Sequence, residues 1–495
     1  MTVQRIFIDK ILSPINNLVK KCPPKMRDIM FILGGICLML HCILHGARLI
    51  PYRFLIFFPI SCVFLGIMIL SSMGGELHPV RFRMSVFVPW MCCGGLMFIS
   101  GVINNVDYLP DALLFLVAFP ILYICFANAD REKLFQKLIS INKFTLLIFI
   151  ITSFLFVQIT NKKYTAFSVN VNTTSTILTV TSIFILVEII SEKKFSKKVL
   201  CDILLIGTAT ALNYYTNSRT GPLALIFAAA FILVLFFATN SMRTNLVALA
   251  KLGMIALSSV VLTVSLLYVF QLRQWLPIPY INLNDNSIYL DDRWDTMLHL
   301  GSANNNNNES TQPDNENDTP SSPDSESTQP DNENNNSGES EFFGNDGFQG
   351  VNEQKLDTNK SLDKFSTGRI SVWKAYAKDL NFKGHSTTPT VYIDFLSKKD
   401  ISSTHMTILQ VAYESGVLSG ISYFLFNIAS GILSIIFAIK HRKEKYSLLP
   451  LAVTLVFGVI SLLASNRVAF YNCNTLMYYI LLFPIMIKSP MSDKL

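Results

Sequence analysis

The sequence predicts an all-α polytopic membrane protein of about twelve transmembrane helices with one large extracytoplasmic loop late in the chain. Three observations carry that prediction. Hydrophobic residues make up 51% of the 495 positions and charged residues only 15%, with a mean hydropathy of +0.41; a soluble domain is roughly a quarter charged. Apolar runs of about 20 residues, the length that crosses a bilayer as a helix, recur throughout. Lysine and arginine collect in alternate connecting segments, as the positive-inside rule requires of a multi-pass protein.

In order, residues 1–28 are basic and carry Phe7, Ile11, Ile15 and Leu18 at helical spacing, the pattern of an amphipathic helix lying in the cytoplasmic interface. No apolar h-region or small-residue cleavage site follows, so a cleaved signal peptide is not expected. Nine spans are predicted in 29–270, at about 29–48, 54–72, 85–104, 110–128, 144–160, 173–190, 199–215, 221–239 and 247–270. The long loop runs from 271 to 416. Three more spans follow in 417–487, at about 417–439, 447–465 and 470–487, then a short tail, 488–495.

Charge sets the orientation. Arg5 to Arg27, Arg131 to Lys143, Lys193 to Lys198 and Lys440 to Lys445 fall in one set of segments, whereas the other set holds Arg48, Arg53, Lys162, Lys163, Arg219 and Arg467, a bias of about 23 to 6. Both termini are therefore predicted cytoplasmic and the long loop external. That loop carries 11 basic and 22 acidic residues, leaving +18 on the remainder. Basic residues confined to short turns, with no reading module beside them, exclude a nucleic-acid partner. Nine cysteines without a C-x-x-C or a zinc-type Cys/His spacing read as small apolar helix residues.

Within the loop, 302–350 is low complexity, with a run of asparagines and the nonapeptide ESTQPDNEN starting at Glu309 and again at Glu326. Acidity and few apolar residues predict a disordered insert. Its flank at 366–416 is patterned for short helices that lie against the outer membrane face.

Five positions there and at the outer helix mouths bear on chemistry. Arg219 opens a helix in Asn217-Ser218-Arg219-Thr220-Gly221; its plainer role is a snorkelling arginine, the other an anion site where guanidinium and helix N-terminus combine. Arg369 follows Thr367-Gly368 and precedes a face of Val372, Trp373, Tyr376 and Leu380, with Ser366 or Thr367 as candidate caps. His405, in Ser403-Thr404-His405, has the ordinary imidazole pKa that suits a general base at neutral pH; His385 is the weaker competitor. Glu414 reads as a base, an interfacial carboxylate or, preferably, an orienter. Arg467 is a third arginine on the same side. Arginines converging at one membrane face favour a diphosphate ligand. A P-loop and a G-x-S-x-G are both missing, and Glu188 and Asp202 sit near helix ends rather than mid-membrane, unlike the ionisable residues of ion-coupled transporters.

Together, Ser218-Arg219-Thr220-Gly221, Thr367-Gly368-Arg369 with Trp373, and His405 followed by Leu409-Gln410 and Glu414-Ser415-Gly416-Val417 resemble the bacterial O-antigen ligase and O-antigen (Wzy-type) polymerase superfamily. The family has an asparagine after the histidine where Met406 stands here. The resemblance covers roughly 200–470, and the insert has no counterpart in it. It implies a metal-independent, cofactor-free glycosyltransferase of the bacterial cytoplasmic membrane, acting in surface polysaccharide (O-antigen or capsule) synthesis. The donor would be a polyprenyl-diphosphate-linked oligosaccharide (undecaprenyl diphosphate in bacteria), with a chain-length regulator as a possible partner. Arg219 and Arg369 would bind the diphosphate and His405 would serve as general base, with Arg467, Glu414 and Trp373 at the substrate. A polymerase joining repeat units leads; a ligase moving finished glycan to a lipid core or protein uses the same residues. A lipid-linked oligosaccharide flippase would instead need a cationic path through the bundle.

Overall fold

The computed structural model describes residues 2–46, 54–104, 108–157, 164–166, 170–273, 275–278, 280–282, 287–289, 369–386, 391–393, 399–401, 403–464, 470 and 472–490. The long helices are α1 (Pro24–Gly46), α2 (Phe54–Ser72), α3 (Met84–Ile103), α4 (Leu109–Ala127), α5 (Arg131–Phe156), α6 (Val171–Ser191), α7 (Lys197–Tyr215), α8 (Thr220–Thr239) and α9 (Met242–Arg273). After the long loop come α10 (Arg369–Lys378), α11 (Thr407–Ser415), α12 (Val417–Lys440), α13 (Leu449–Leu463) and α14 (Cys473–Leu481). Among the described residues, eight helices are long and apolar enough to cross a membrane: α1, α3, α4, α5, α6, α8, α9 and α12. The other four predicted spans coincide with α2, α7, α13 and α14, which are shorter or more polar. The chain is thus a helical, membrane-embedded protein.

The centre of the bundle is α6. Every residue from Thr174 to Ile190 is buried, and a helix covered on all sides belongs to a core. Some of its hydroxyls bond back to the helix, as Thr181 Oγ1 does by donating to the Ile177 carbonyl at 2.7 Å, and others bond residues outside it, as Thr174 Oγ1 does the Thr165 carbonyl. Around it pack α5, α7, α8 and α13. The early and late blocks are joined by Trp90 of α3. Its ring stacks on Phe115 of α4 at 4.0 Å and meets Phe426 of α12 and Tyr479 of α14 edge-on, while its indole N–H donates to the Phe115 carbonyl at 2.8 Å.

Alternate connections meet at the same end of the bundle. At one end, Asn16 bonds Gly74 and Gly75, Lys445 bonds Glu192 at 2.8 Å, and Val80–Phe82 (β1) pairs antiparallel with Ile487–Pro490 (β6). At the other end, Tyr164 N–H donates to the Tyr215 carbonyl and Thr407 Oγ1 to that of Ala464. All nine cysteines are free thiols.

Four expectations need correction. The fifth span was placed at 144–160, yet α5 begins at Arg131, capped by the Asp130 side chain. Its cationic first half stays helical because Lys143 is drawn into the bundle by Glu188 and Asp202, the latter at 2.7 Å. On the N-terminal helix, Phe7 and Ile15 of the predicted face pack against the core, but Ile8, Leu12 and Asn16 are the buried residues and Ile11 and Leu18 are exposed. A π-helical turn over Ile8–Leu12 shifts the register. The predicted last span is broken after Leu481 and turns into strand β6 from Ile487, with Pro484 just inside the intervening turn. The long loop also holds strand pairs beside its helices, Tyr280–Asn282 with Ser287–Tyr289 (β2, β3) and, within the flank patterned for helices, Val391–Ile393 with Lys399–Ile401 (β4, β5); the β-branched and aromatic Val391, Tyr392 and Ile393 favour a strand there. The insert 302–350 lies outside the described residues.

Candidate functional site

His405 sits one residue before Met406, the N-cap of α11, in a left-handed backbone conformation with φ +51°. A non-glycine residue holds that conformation at a cost of about 1–2 kcal/mol, so its neighbours must fix it, and they do. Trp373 of α10 donates its indole N–H to the Thr404 carbonyl at 2.8 Å. The Thr404 N–H donates to Gln410 Oε1 at 3.0 Å, and Gln410 Nε2 donates to Glu414 Oε1 at 2.5 Å. The Thr404 hydroxyl donates to the Met406 carbonyl at 2.7 Å and accepts from its N–H at 3.1 Å. Thr404, Gln410 and Glu414 are buried, and buried hydrogen bonds of this kind are costly to break.

Packing brings Arg369 to the same place. Helix α10 presents Val372, Ala375 and Tyr376 to Tyr413 and Leu409 of α11 in a small core of its own. Arg369 is the first residue of that helix and is half-buried. Burial draws its guanidinium pKa down, and an arginine remains charged regardless. Burial and the Arg369 charge together hold the His405 pKa below its ordinary value, so the imidazole is neutral at neutral pH and free to take a proton. Among the described residues the His405 ring makes no hydrogen bond.

His385 is spent on structure. Its ring stacks on Tyr413 at 3.9 Å and 6°. Nδ1 lies 2.9 Å from the Tyr413 carbonyl, which can only accept, so Nδ1 carries the hydrogen. Asn381 Nδ2 then donates to Nε2 at 3.0 Å, its Oδ1 being held by the Lys383 and Gly384 N–H groups. The Asn381–His385 loop in turn wraps the break between α11 and α12. Gly416, with φ +89°, makes that break, and a Cβ there would stand 2.3 Å from the Phe382 carbonyl oxygen, so only glycine fits.

Arg219 is the N-cap of α8 and its side chain is exposed. The elbow beneath it is polar and buried. Ser218 Oγ donates to Asn172 Oδ1 at 2.7 Å, Ser175 Oγ to Asn213 Oδ1 at 2.5 Å, and Asn213 Nδ2 to Thr179 Oγ1 at 3.2 Å. Gly221 lets α8 reach α6, since a Cβ there would stand 2.1 Å from Ser175 Oγ and 2.7 Å from its carbonyl oxygen. Gly→Ala inside a helix ordinarily gains stability. Here Gly221→Ala is expected to cost about 1–3 kcal/mol, read as a lower Tm in detergent; an unchanged Tm would refute the close approach.

The structure therefore brings His405, Arg369, Trp373 and Glu414 together. Trp373 and Glu414, expected at the substrate, act here on the His405 turn. Arg219 lies on the same end of the bundle without touching them. Its helix packs along α13, whose end is bonded by Thr407, and Phe227 of α8 and Ile408 of α11 line one apolar cavity of about 360 Å³ between α12 and α13. Arg467, Ser366, Thr367 and Gly368 lie outside the described residues. Gln410, named from sequence only as part of the motif after His405, was given no role there, although its i,i+4 spacing to Glu414 was the available signal. No protein-family model and no curated protein matches this chain.

Proposed function

We propose that the chain is a glycosyltransferase that polymerises oligosaccharide repeat units from a polyprenyl-diphosphate-linked donor at the outer face of the bacterial cytoplasmic membrane. The observation that carries the reading is a neutral, unbonded imidazole clamped in a left-handed turn beside a half-buried arginine. Neutral His405 accepts the proton of an acceptor sugar hydroxyl as its oxygen attacks the anomeric carbon. The bond from that carbon to the diphosphate oxygen breaks with inversion. The charge growing on the leaving diphosphate meets Arg369 and, from α8, Arg219. The apolar cavity beside Ile408 suits the first isoprene units of the lipid.

Purified protein given lipid-linked repeat units alone tests this. A ladder of longer glycans that His405→Ala abolishes is the expected result. A reaction that waits for a lipid-core or protein acceptor means a ligase, and transport without glycosidic bond formation means a flippase. The proposed sidedness, with both termini cytoplasmic, has its own check: Ser321→Cys is expected to label with an impermeant thiol reagent in intact cells, and protection there would reverse the orientation.

A further inference from the structure

At the end of the bundle opposite His405, about 36 Å away along α12 at 1.5 Å per residue, six helix ends surround a cavity of about 550 Å³. Helices α6, α8 and α12 end there and α5, α9 and α13 begin there. Three C-termini and three N-termini offset one another's dipoles, so the side chains set the sign. Five lining residues are cationic, Lys193, Lys194, Arg442, Lys443 and Lys445, against Glu132, Glu192 and Glu444. Two of the acids are already engaged. Lys445 donates to Glu192 at 2.8 Å and holds its carboxyl below the ordinary range, and Arg131 donates to Glu444, with His441 Nδ1 2.7 Å from the same oxygen. Fully buried Lys251 bonds the carbonyls of Ile189 and of Glu192, the latter a lining residue. Among the described residues, Lys193, Lys194, Arg442 and Lys443 are exposed and have no acidic partner.

Beside that rim the wall is apolar, formed by Leu235, Phe236, Ile439 and Leu448, with Ile439 48% exposed. A general charge bias explains cations on these turns but requires neither a cavity nor an apolar wall under them. A soluble anion would use the cations and leave the apolar wall wet. We propose that this cavity binds the phosphodiester head group of an anionic phospholipid, with an acyl chain lying along Ile439 and Leu235. The site is independent of the reaction at the other end of the bundle.

The full chain in phosphatidylcholine nanodiscs doped with phosphatidylglycerol tests it, with retained lipid counted by native mass spectrometry after release into detergent. The wild type is expected to retain phosphatidylglycerol over phosphatidylcholine and to keep it in millimolar inorganic phosphate. Arg442→Gln with Lys443→Gln is expected to weaken retention about thirtyfold, each cation near the surface contributing about fivefold. Lys20→Gln with Lys21→Gln, removing equally exposed cations from the N-terminal segment, is expected to leave it unchanged. Equal retention by the first variant, equal loss in the second, or displacement by phosphate would each overturn the proposal. If the first variant does not fold, the wild-type lipid preference and phosphate competition decide it.

Discussion

His405→Ala is expected to lower glycan transfer by about 10²–10⁴-fold, the usual contribution of a positioned general base, while the protein still folds and inserts. The two halves of that expectation have separate causes. The His405 ring bonds to nothing among the described residues, so its removal leaves no buried partner stranded. The turn around it is held by Trp373, Thr404 and Gln410 through backbone atoms that alanine keeps. Alanine does meet the left-handed conformation less readily than histidine. His405→Asn is therefore the companion variant, because asparagine tolerates φ +51° and offers no base. Both are expected to melt near the wild type and to form no ladder. A variant that folds and keeps full output would end the general-base assignment. The parallel change at His385 has the opposite profile, since that ring is stacked and bonded on both nitrogens; its loss would appear first as a lower Tm.

Arg369→Gln is expected to do two things at once. Transfer falls by about 10²–10³-fold through lost stabilisation of the leaving diphosphate. The pH profile moves as well. On the proposed reading His405 works in its neutral form, which is present above its pKa and lost as pH falls through it. Burial and the Arg369 charge put that value below the ordinary 6.5, so the acid limb of kcat/KM for the wild type lies below pH 6.5. Removing the cation makes the imidazole easier to protonate, and the limb moves to higher pH. A rate loss with a stationary limb would mean that Arg369 binds substrate without acting on His405. Gln410→Leu separates position from charge: it is expected to cost rate by loosening the turn and to leave the limb in place.

Much of this was legible in the sequence, and the remainder is non-local. Apolar runs located the eight helices long and apolar enough to cross a membrane among the described residues, because a bilayer demands about 20 apolar residues whatever surrounds them. Order and type of residue picked out Arg219, Arg369 and His405. The start of α5 was hidden because Lys143 looks like a loop cation until Glu188 and Asp202, far along the chain, are seen beside it. His405 was ranked above His385 from sequence, but what His385 does instead was hidden, because its stacking on the Tyr413 ring and its bond to that residue's carbonyl are tertiary contacts. Trp373 was read as a substrate contact from its aromatic character; that its N–H would be taken by Thr404, thirty-one positions on, is a fact of tertiary packing.

The bonds that seat the loop bearing on His405 also date its assembly. Ser100 Oγ donates to the Glu414 carbonyl and Asn104 Nδ2 to that of Lys383, across 314 and 279 residues, and Tyr108 reaches His385 in the same way. A ribosome has completed α1 to α9 before any of those carbonyls exists. Until then the nascent chain carries Arg219 without His405, and closing so distant a pairing is slow. On the proposed reading, competence toward an activated lipid comes only with the late part of the chain, so that a chain stalled or clipped in the long loop holds at most half a site.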